Sequence, residues 1–332
     1  MPNLPKPRLR RGERSRAVDA FVPAPTAEPN VEVLEHGELR WINIERPSSI
    51  DRAWLEEHFE FHPLDYEDVL SRNQRPKIDE YENYLFIVLH FPVFDKNVGR
   101  LNAGELDIFV GPDFLITIPN VPFQPVEYLF ESCRASEDLR EQLFSKGPGF
   151  LLYRIVDDSF DYCFPMLRKM GNKLDRIEED IFEGRAEEVV RDISNAKQEI
   201  INFRKIIRPQ RPVLRDLERT KQRYLAGDLE VYFDDIIDAS ERIWDMLENY
   251  KEVVEALEGT NEAVITHRLN NVLRVLTSVS VILLPLTLIA SIWGMNVRVP
   301  GEHAIGAFWV ILGFMLVVLA GLVAYFRRRG WL

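Results

Sequence analysis

The sequence predicts an α+β domain, a mixed sheet with helices, followed by long stalk helices and two C-terminal transmembrane helices. Three observations carry this. Short runs rich in β-branched and aromatic residues, separated by turn residues, fill the region from Val31 to about Pro125. Strand signals then vanish and the remainder of the chain reads as helix. Near the C-terminus, Val275–Trp293 and Ala307–Phe326 run for 19 and 20 residues without a charge, each long enough for a hydrocarbon core of about 30 Å.

The elements follow in order. "VEVLEHGELRWINIERP" places a His36-Gly37 turn between apolar runs and predicts a hairpin. "SIDRAWLEEHFEFHPLDYEDVL" predicts two short helices, the second started by Pro63. "NYLFIVLHFPVFD" and "GELDIFVGPDFLITIPN" read as strands. From Gly149 to Gly184 the pattern predicts one long amphipathic helix stopped by the glycine. A second helical stretch from Ala186 is interrupted at Pro209 and Pro212. The third starts near Asp228 and meets no proline until Pro285. Unbroken to Trp293, it would be roughly 100 Å long at about 1.5 Å per residue, a length that suits a stalk entering a membrane. In it Ile243, Leu247, Tyr250, Val254, Leu257, Asn261 and Val264 form a heptad seam that predicts partner helices.

The expected organisation is therefore a basic, Pro-rich disordered arm over residues 1–30, the α/β domain over 31–125 and a helical region with stalk over 126–268. The first span covers 269–296, a short connection 297–306, the second span 307–326 and a basic tail 327–332.

Charge narrows the function classes. The formal net charge is −12; residues 1–30 hold six basic and three acidic groups, and from Leu269 onward there are five Arg and one Glu, which leaves −19 for the middle. Such a body repels nucleic acid and attracts cations. Cys133 and Cys163 have no partner motif and read as packing residues. No phosphate-binding glycine loop or nucleophile elbow is present, which argues against an enzyme. His58 and His62 are four apart, a spacing that can bind zinc on a helix, but Pro63 marks a helix boundary there. Arg327, Arg328 and Arg329 stop the second span, and the positive-inside rule puts both termini and the acidic body in the cytoplasm of a cell-membrane protein. The basic arm has two readings, a solubilising tail or a contact with anionic lipid.

The two spans differ in kind. The second is apolar all round. In the first, steps of three and four from Asn270 give Asn270, Leu273, Thr277, Ser280, Leu284, Thr287 and Ser291, and within the uncharged run Ser278 alone of the polar residues lies off that stripe. Such a face meets water or other helices, and hydroxyls also bond their own backbone or mediate tight packing. Several copies of this helix side by side would turn the stripe toward a common axis. That geometry makes a hydroxyl-lined pore with constrictions at Leu273 and Leu284.

After the first span comes Gly294-Met295-Asn296, and with "LPLTLIASIWGMN", "RRRGWL", "FHPLDYEDV" and "RPKIDEYENYLFIVL" the chain resembles the CorA-type magnesium channel family over residues 40–332. The resemblance implies a funnel-shaped homopentamer in the bilayer, with the first span lining the pore. It implies that Gly294, Met295 and Asn296 form the outer filter and that the seven stripe residues line the pore. It implies Mg²⁺ as transported and regulatory ion, with Co²⁺ or Ni²⁺ as further cargo, and feedback gating by carboxylates at positions matching Asp95 and Asp235. Mg²⁺ sheds its octahedral waters reluctantly, so neutral oxygen acceptors that bond to coordinated water suit its passage better than a ring of carboxylates. Two departures stand out: Trp293 replaces the usual Tyr or Phe, and the connection "VRVPGEHAIG" lacks the family's acidic Met-Pro-Glu-Leu run, leaving Glu302 and adding His303. An outward His favours softer metals, which keeps a proton-coupled Zn²⁺ transporter of the same architecture as an alternative. A two-span coiled-coil sensor or scaffold is the rival from another class.

Overall fold

The computed structural model describes residues 28–71, 74–95, 100–185, 187–220, 229–295 and 305–331. Within these the sequence elements appear largely where periodicity puts them. β1 (Glu32–His36) and β2 (Leu39–Asn43) form the hairpin. α1 (Ser49–His58) opens on a capping box in which Ser48 and Asp51 satisfy each other's backbone amides, and α2 (Pro63–Leu70) opens on its proline. β3 (Lys77–Glu80), β4 (Leu85–Asp95), β5 (Arg100–Val110) and β6 (Phe114–Pro119) complete a six-stranded sheet ordered β1-β2-β6-β5-β4-β3. Only β2 and β6 pair in parallel, so the sheet is mixed, as predicted.

Both faces of the sheet are covered, which explains why β4 reads as a continuous apolar run rather than an alternation. One face carries Ile42, Phe86, Val88, Phe109 and Ile116 against Leu55, Phe61, Tyr66 and Val69 of the α1–α2 layer. On the other, Trp41 meets Phe130 edge-on at 4.9 Å and Phe91 meets Phe160 at 5.2 Å. Those partners lie on α3 (Gln124–Ala135) and α5 (Pro148–Asp161), with α4 (Glu137–Phe144) between them in sequence. Polar groups drawn into this core are bonded: Trp41 donates its indole N–H to Thr117 at 3.1 Å, and Tyr84 donates its hydroxyl to Asp65 at 2.7 Å.

The single helix expected over 149–184 is two helices. α5 ends at Asp161 and α6 (Cys163–Asp180) begins after Tyr162. Pro165 is the cause: its ring cannot coexist with a helical carbonyl four residues earlier, at Asp161. Gly184 does stop the run, at φ +101° within the π-helical turn Ile181–Arg185, and its carbonyl accepts from the Arg268 guanidinium at 2.6 Å. α7 (Val190–Ile207) and α8 (Gln210–Arg219) are divided at Arg208–Pro209, as expected of Pro209, whereas Pro212 makes no second break: it sits in the first turn of α8, where a missing N–H costs no helical bond. α9 runs unbroken through 64 residues from Glu230 to Trp293 with Pro285 inside it, and α10 covers Ile305–Arg328.

The chain divides into two units, the first made of residues up to 169 with 199–248, the second of 170–198 with 249–332. The heptad seam of α9 needs correction here. Its residues are buried or half-buried inside single units. In the first unit the Trp244 ring beside the seam lies under Arg204 and Arg211 of α7 and α8. In the second, Tyr250 fills the space beside Gly171 of α6, and Lys197 of α7 pairs with Glu258 at 2.6 Å. The chain supplies its own partners, so the seam gives no argument for association between copies.

One core residue sets a pH dependence. Asp107 on β5 is 2% exposed, and its Oδ1 has no hydrogen-bond partner among the described residues. Burial first, then the charges of Glu105 and Asp68, pushes its pKa well above the ordinary 3.8. A carboxyl whose folded pKa is raised contributes stability that is complete below its unfolded pKa and is lost as pH rises through the folded value. Asp107→Asn, of equal size and without titration, should therefore raise the Tm of the full-length protein in detergent at pH 8 relative to the parent, with the gain gone at pH 4. Equal gains at both pH values would contradict this origin.

Candidate functional site

α9 and α10 are the two helices, among the described residues, that are long and apolar enough to cross a membrane. Within α9 the membrane-length segment has two unlike sides. Ser278 and Ile282 are buried, and Pro285, Leu286 and Ile289 are half-buried. At about 100° per residue these five lie on one side of the helix. α10 presents a matching strip at spacings of one, three and four: Ile311, Leu312, Met315, Val318, Leu319, Leu322 and Val323 are half-buried and Phe326 is buried. The Arg274 guanidinium lies 5.8 Å over the Trp331 ring, so the end of α10 returns to the start of the α9 span and the two helices run antiparallel. This pairing covers the Ser278–Ile289 side.

The polar stripe lies on the opposite side. Asn270, Leu273, Thr277, Ser280, Leu284, Thr287 and Ser291 are all exposed, with Leu273 and Leu284 at 56% and 66%. Ser278, the hydroxyl that falls off the stripe, is turned inward and satisfied by donating to the Arg274 carbonyl at 2.8 Å. On the stripe, Ser280 donates to the Leu276 carbonyl at 2.9 Å and Thr287 to the Leu284 carbonyl at 2.9 Å. Back-bonding of this kind occupies the hydroxyl hydrogen and leaves the oxygen lone pairs facing outward. Outward acceptors are what the waters around a hydrated cation require, because metal-bound water donates.

Gly294 follows the last turn of α9, its N–H donating to the Ala290 carbonyl at 2.9 Å. A Cβ at this position would come within 3.2 Å of that same carbonyl, so a side chain would crowd the end of the helix. Met295 is exposed at 57%. Asn296, Glu302 and His303 lie outside the described residues.

The other sequence candidates fall into the first unit. Asp95 ends β4, is half-buried, and accepts from the Asn102 side-chain amide at 3.4 Å. Asp235 is exposed on α9, close enough to Tyr153 and Asp157 to help raise the pKa of both. Among the described residues no three His, Cys, Asp or Glu side chains gather to hold a metal within one chain. His58 turns Nδ1 to the Trp54 carbonyl at 2.8 Å and stacks on that tryptophan, while His62 caps α2 by accepting from the Leu64 amide, so both rings serve local backbone. Cys133 and Cys163 are free and buried. Reading the sequence missed the acidic group Asp157, Asp158 and Asp161, where burial raises the pKa of Asp157 and Asp158; three carboxylates within five residues were the available signal.

A mixed α/β body joined to a pair of antiparallel membrane-length helices, one of them polar along its uncovered side, fits a two-span membrane protein. The comparisons name the family. The model of the CorA-like Mg²⁺ transporter protein matches residues 36–328, and the chain belongs to that family. It is 30% identical to the cobalt/magnesium transport protein CorA of Thermotoga maritima, over 88% of this chain and 83% of that protein. It is 23% identical to the protein of the same name from Methanocaldococcus jannaschii, over 92% of this chain and 96% of that protein. The complete structure of the CorA magnesium transporter from Methanocaldococcus jannaschii shares the fold, with a TM-score of 0.79 at 23% identity over 90% of this chain and 93% of that one.

The two sides of α9 should separate by thiol chemistry in membranes, with little background because the native cysteines are buried. Thr277→Cys, Ser280→Cys and Thr287→Cys are expected to react with a water-soluble methanethiosulfonate at least about tenfold faster than Ser278→Cys or Ile282→Cys, since thiolate forms only in contact with water. Equal, slow labelling at all five positions would place the stripe in lipid.

Proposed function

We propose that this chain conducts Mg²⁺, with Co²⁺ and Ni²⁺ as further cargo, through the cell membrane into the cytoplasm, as a homopentamer whose first spans surround the pathway. The observation that carries this is the exposed stripe from Asn270 to Ser291 opposite the side that α10 covers. A lipid-facing helix has no use for hydroxyls and an amide in register over this length. Turned toward a common axis, the stripe offers neutral oxygen acceptors to a cation that keeps its water. Leu273 and Leu284 then form apolar constrictions that dewet when closed. Gly294, Met295 and Asn296 stand at the outer mouth, where the Asn296 carbonyl is a neutral acceptor and Gly294 keeps the helix end uncrowded. Glu302 and His303 belong to the outer connection, where one carboxylate draws cations without holding them.

The direction follows from charge. Both termini and the acidic body are assigned to the cytoplasm on the strength of Arg327, Arg328 and Arg329. A divalent ion crossing 100 mV toward a negative interior gains about 2 × 2.3 kcal/mol, so no chemical step is needed to drive entry, in keeping with a transport protein rather than an enzyme. For feedback we assign Asp95 and Asp235 as regulatory ligands. Hard cations prefer carboxylate oxygen, and among the described residues one chain alone does not gather three ligands, so the site would take carboxylates from neighbouring copies. Intracellular Mg²⁺ bound there would offset repulsion between acidic subunits and favour closure.

Proteoliposomes with entrapped Mg²⁺ and Zn²⁺ dyes test the reading. Mg²⁺ entry should grow with an imposed inside-negative potential and ignore a proton gradient, and Asn296→Ala should lower it by an order of magnitude or more. Strictly proton-coupled Zn²⁺ movement would transfer the assignment to the zinc alternative, and no ion movement at all to a sensor. Asp235→Asn should leave entry unchanged at low internal Mg²⁺ and relieve its inhibition at high internal Mg²⁺.

A further inference from the structure

Five arginines flank the two membrane helices on the side of the chain termini: Arg268, Arg274, Arg327, Arg328 and Arg329. Elsewhere arginines commonly find carboxylates, as Arg154, Arg204 and Arg215 do. Here Arg268 donates to a backbone carbonyl, and no ion pair involves the other four among the described residues. The sequence explains the imbalance, because between Glu262 and the C-terminus the one acidic residue is Glu302, in the connection at the far end of both spans. Such arginines are left available to an anion from outside the chain.

The end of α10 shapes a place for one. Arg329 donates its N–H to the Tyr325 and Phe326 carbonyls, Gly330 donates to Arg327 and Trp331 donates to Phe326 at 3.0 Å, with Gly330 in the left-handed region at φ +67°. This glycine-terminated cap turns the chain back and sets the Trp331 ring 5.7 Å from buried Phe326 and under the Arg274 guanidinium. A guanidinium that lies over an indole face can turn its N–H edge outward, and that edge matches two oxygens of a phosphate. Arg327 and Arg328 are exposed on the adjacent turn. Tyr325 and Trp331, amphipathic rings of the kind that settle at headgroup depth, stand beside them.

We propose that Arg274, Arg327 and Arg328, with Trp331 as the platform, bind the phosphate of an anionic phospholipid in the leaflet that faces the chain termini. A lipid fits better than a soluble phosphate for two reasons. The site sits where a membrane helix pair ends against aromatic rings, at the level of headgroups. The rest of the protein, at −19 over residues 31–268, repels soluble anions. Because Arg274 belongs to the first span and Arg327 and Arg328 to the second, one bound headgroup would tie the two helices together at this end. The inference rests on the two-span reading of the chain and is independent of which ion it carries.

The test uses full-length protein in nanodiscs of phosphatidylcholine, with and without phosphatidylglycerol. Lipid retained through detergent extraction is counted by native mass spectrometry, and Tm is read by intrinsic fluorescence. Phosphatidylglycerol should be retained preferentially and raise Tm. Each arginine near an anionic surface is worth about a fivefold change in association, so Arg274→Gln and Arg327→Gln should each lower the preference by about that factor. Trp331→Ala should lower it as well, Trp331→Phe should keep most of it, and Arg274→Lys should fall between the parent and Arg274→Gln. Should Arg274→Gln fail to assemble, Arg327→Gln and the two Trp331 variants decide. Equal retention of both lipids by the parent, or a preference untouched by these variants, overturns the proposal. So does equal stabilisation by millimolar glycerophosphate or inorganic phosphate, which would mark a soluble-anion site. A protein that carries Mg²⁺ yet shows no lipid preference loses only this site; one that does not enter membranes loses the two-span reading itself.

Discussion

The contact between α10 and one side of the α9 span is the constraint from which the rest follows. Once Ser278 and Ile282 are buried and Pro285, Leu286 and Ile289 are covered, rotation of α9 about its axis is settled, and the hydroxyls of Thr277, Ser280, Thr287 and Ser291 have one direction left to face. A lone polar residue among them, Ser278, falls on the covered side and satisfies itself against the Arg274 carbonyl. Without that packing the same helix would have no preferred face, and the stripe would be a pattern in the sequence with no consequence in space.

Within each unit α9 is packed by other helices of the same chain. In the second unit α6 and α7 bury the seam at Tyr250, Val254 and Leu257, and Arg268 ties the helix to the carbonyl of Gly184. In the first unit Glu241 and Glu248 of the same helix are held by Arg211, Arg215 and Arg204. These partly exposed pairs contribute little each, but together they hold the part of α9 that belongs to the first unit. The mixed sheet of that unit is buried on both faces.

Much of this was legible in the sequence because it is local. The two uncharged segments, the three-and-four spacing of the polar stripe, the proline that starts α2, the glycine that stops the run at Gly184 and the break at Pro209 follow from backbone chemistry and helix geometry within a few residues. The break at Pro165 was equally local and was overlooked, since the amphipathic pattern continues across it. The proposal of Asp95 and Asp235 as regulatory ligands is of another kind: it would join groups from different chains, which no pattern along one chain reports.

By itself, then, the sequence determined which residues share a face: it put Asn270, Thr277, Ser280, Thr287 and Ser291 on one line and Ile243 to Val264 on another. What occupies each face was decided only in three dimensions. The Ile243–Val264 seam, which suggested neighbouring copies, is filled by the chain's own α6 and α7, and the side of the span opposite the stripe is taken by α10. The burial of Asp107 and the approach of Arg274 to the Trp331 ring belong to the same class. Periodicity is a property of one helix, whereas the identity of a partner depends on packing between segments far apart along the chain, and only the folded arrangement brings those together.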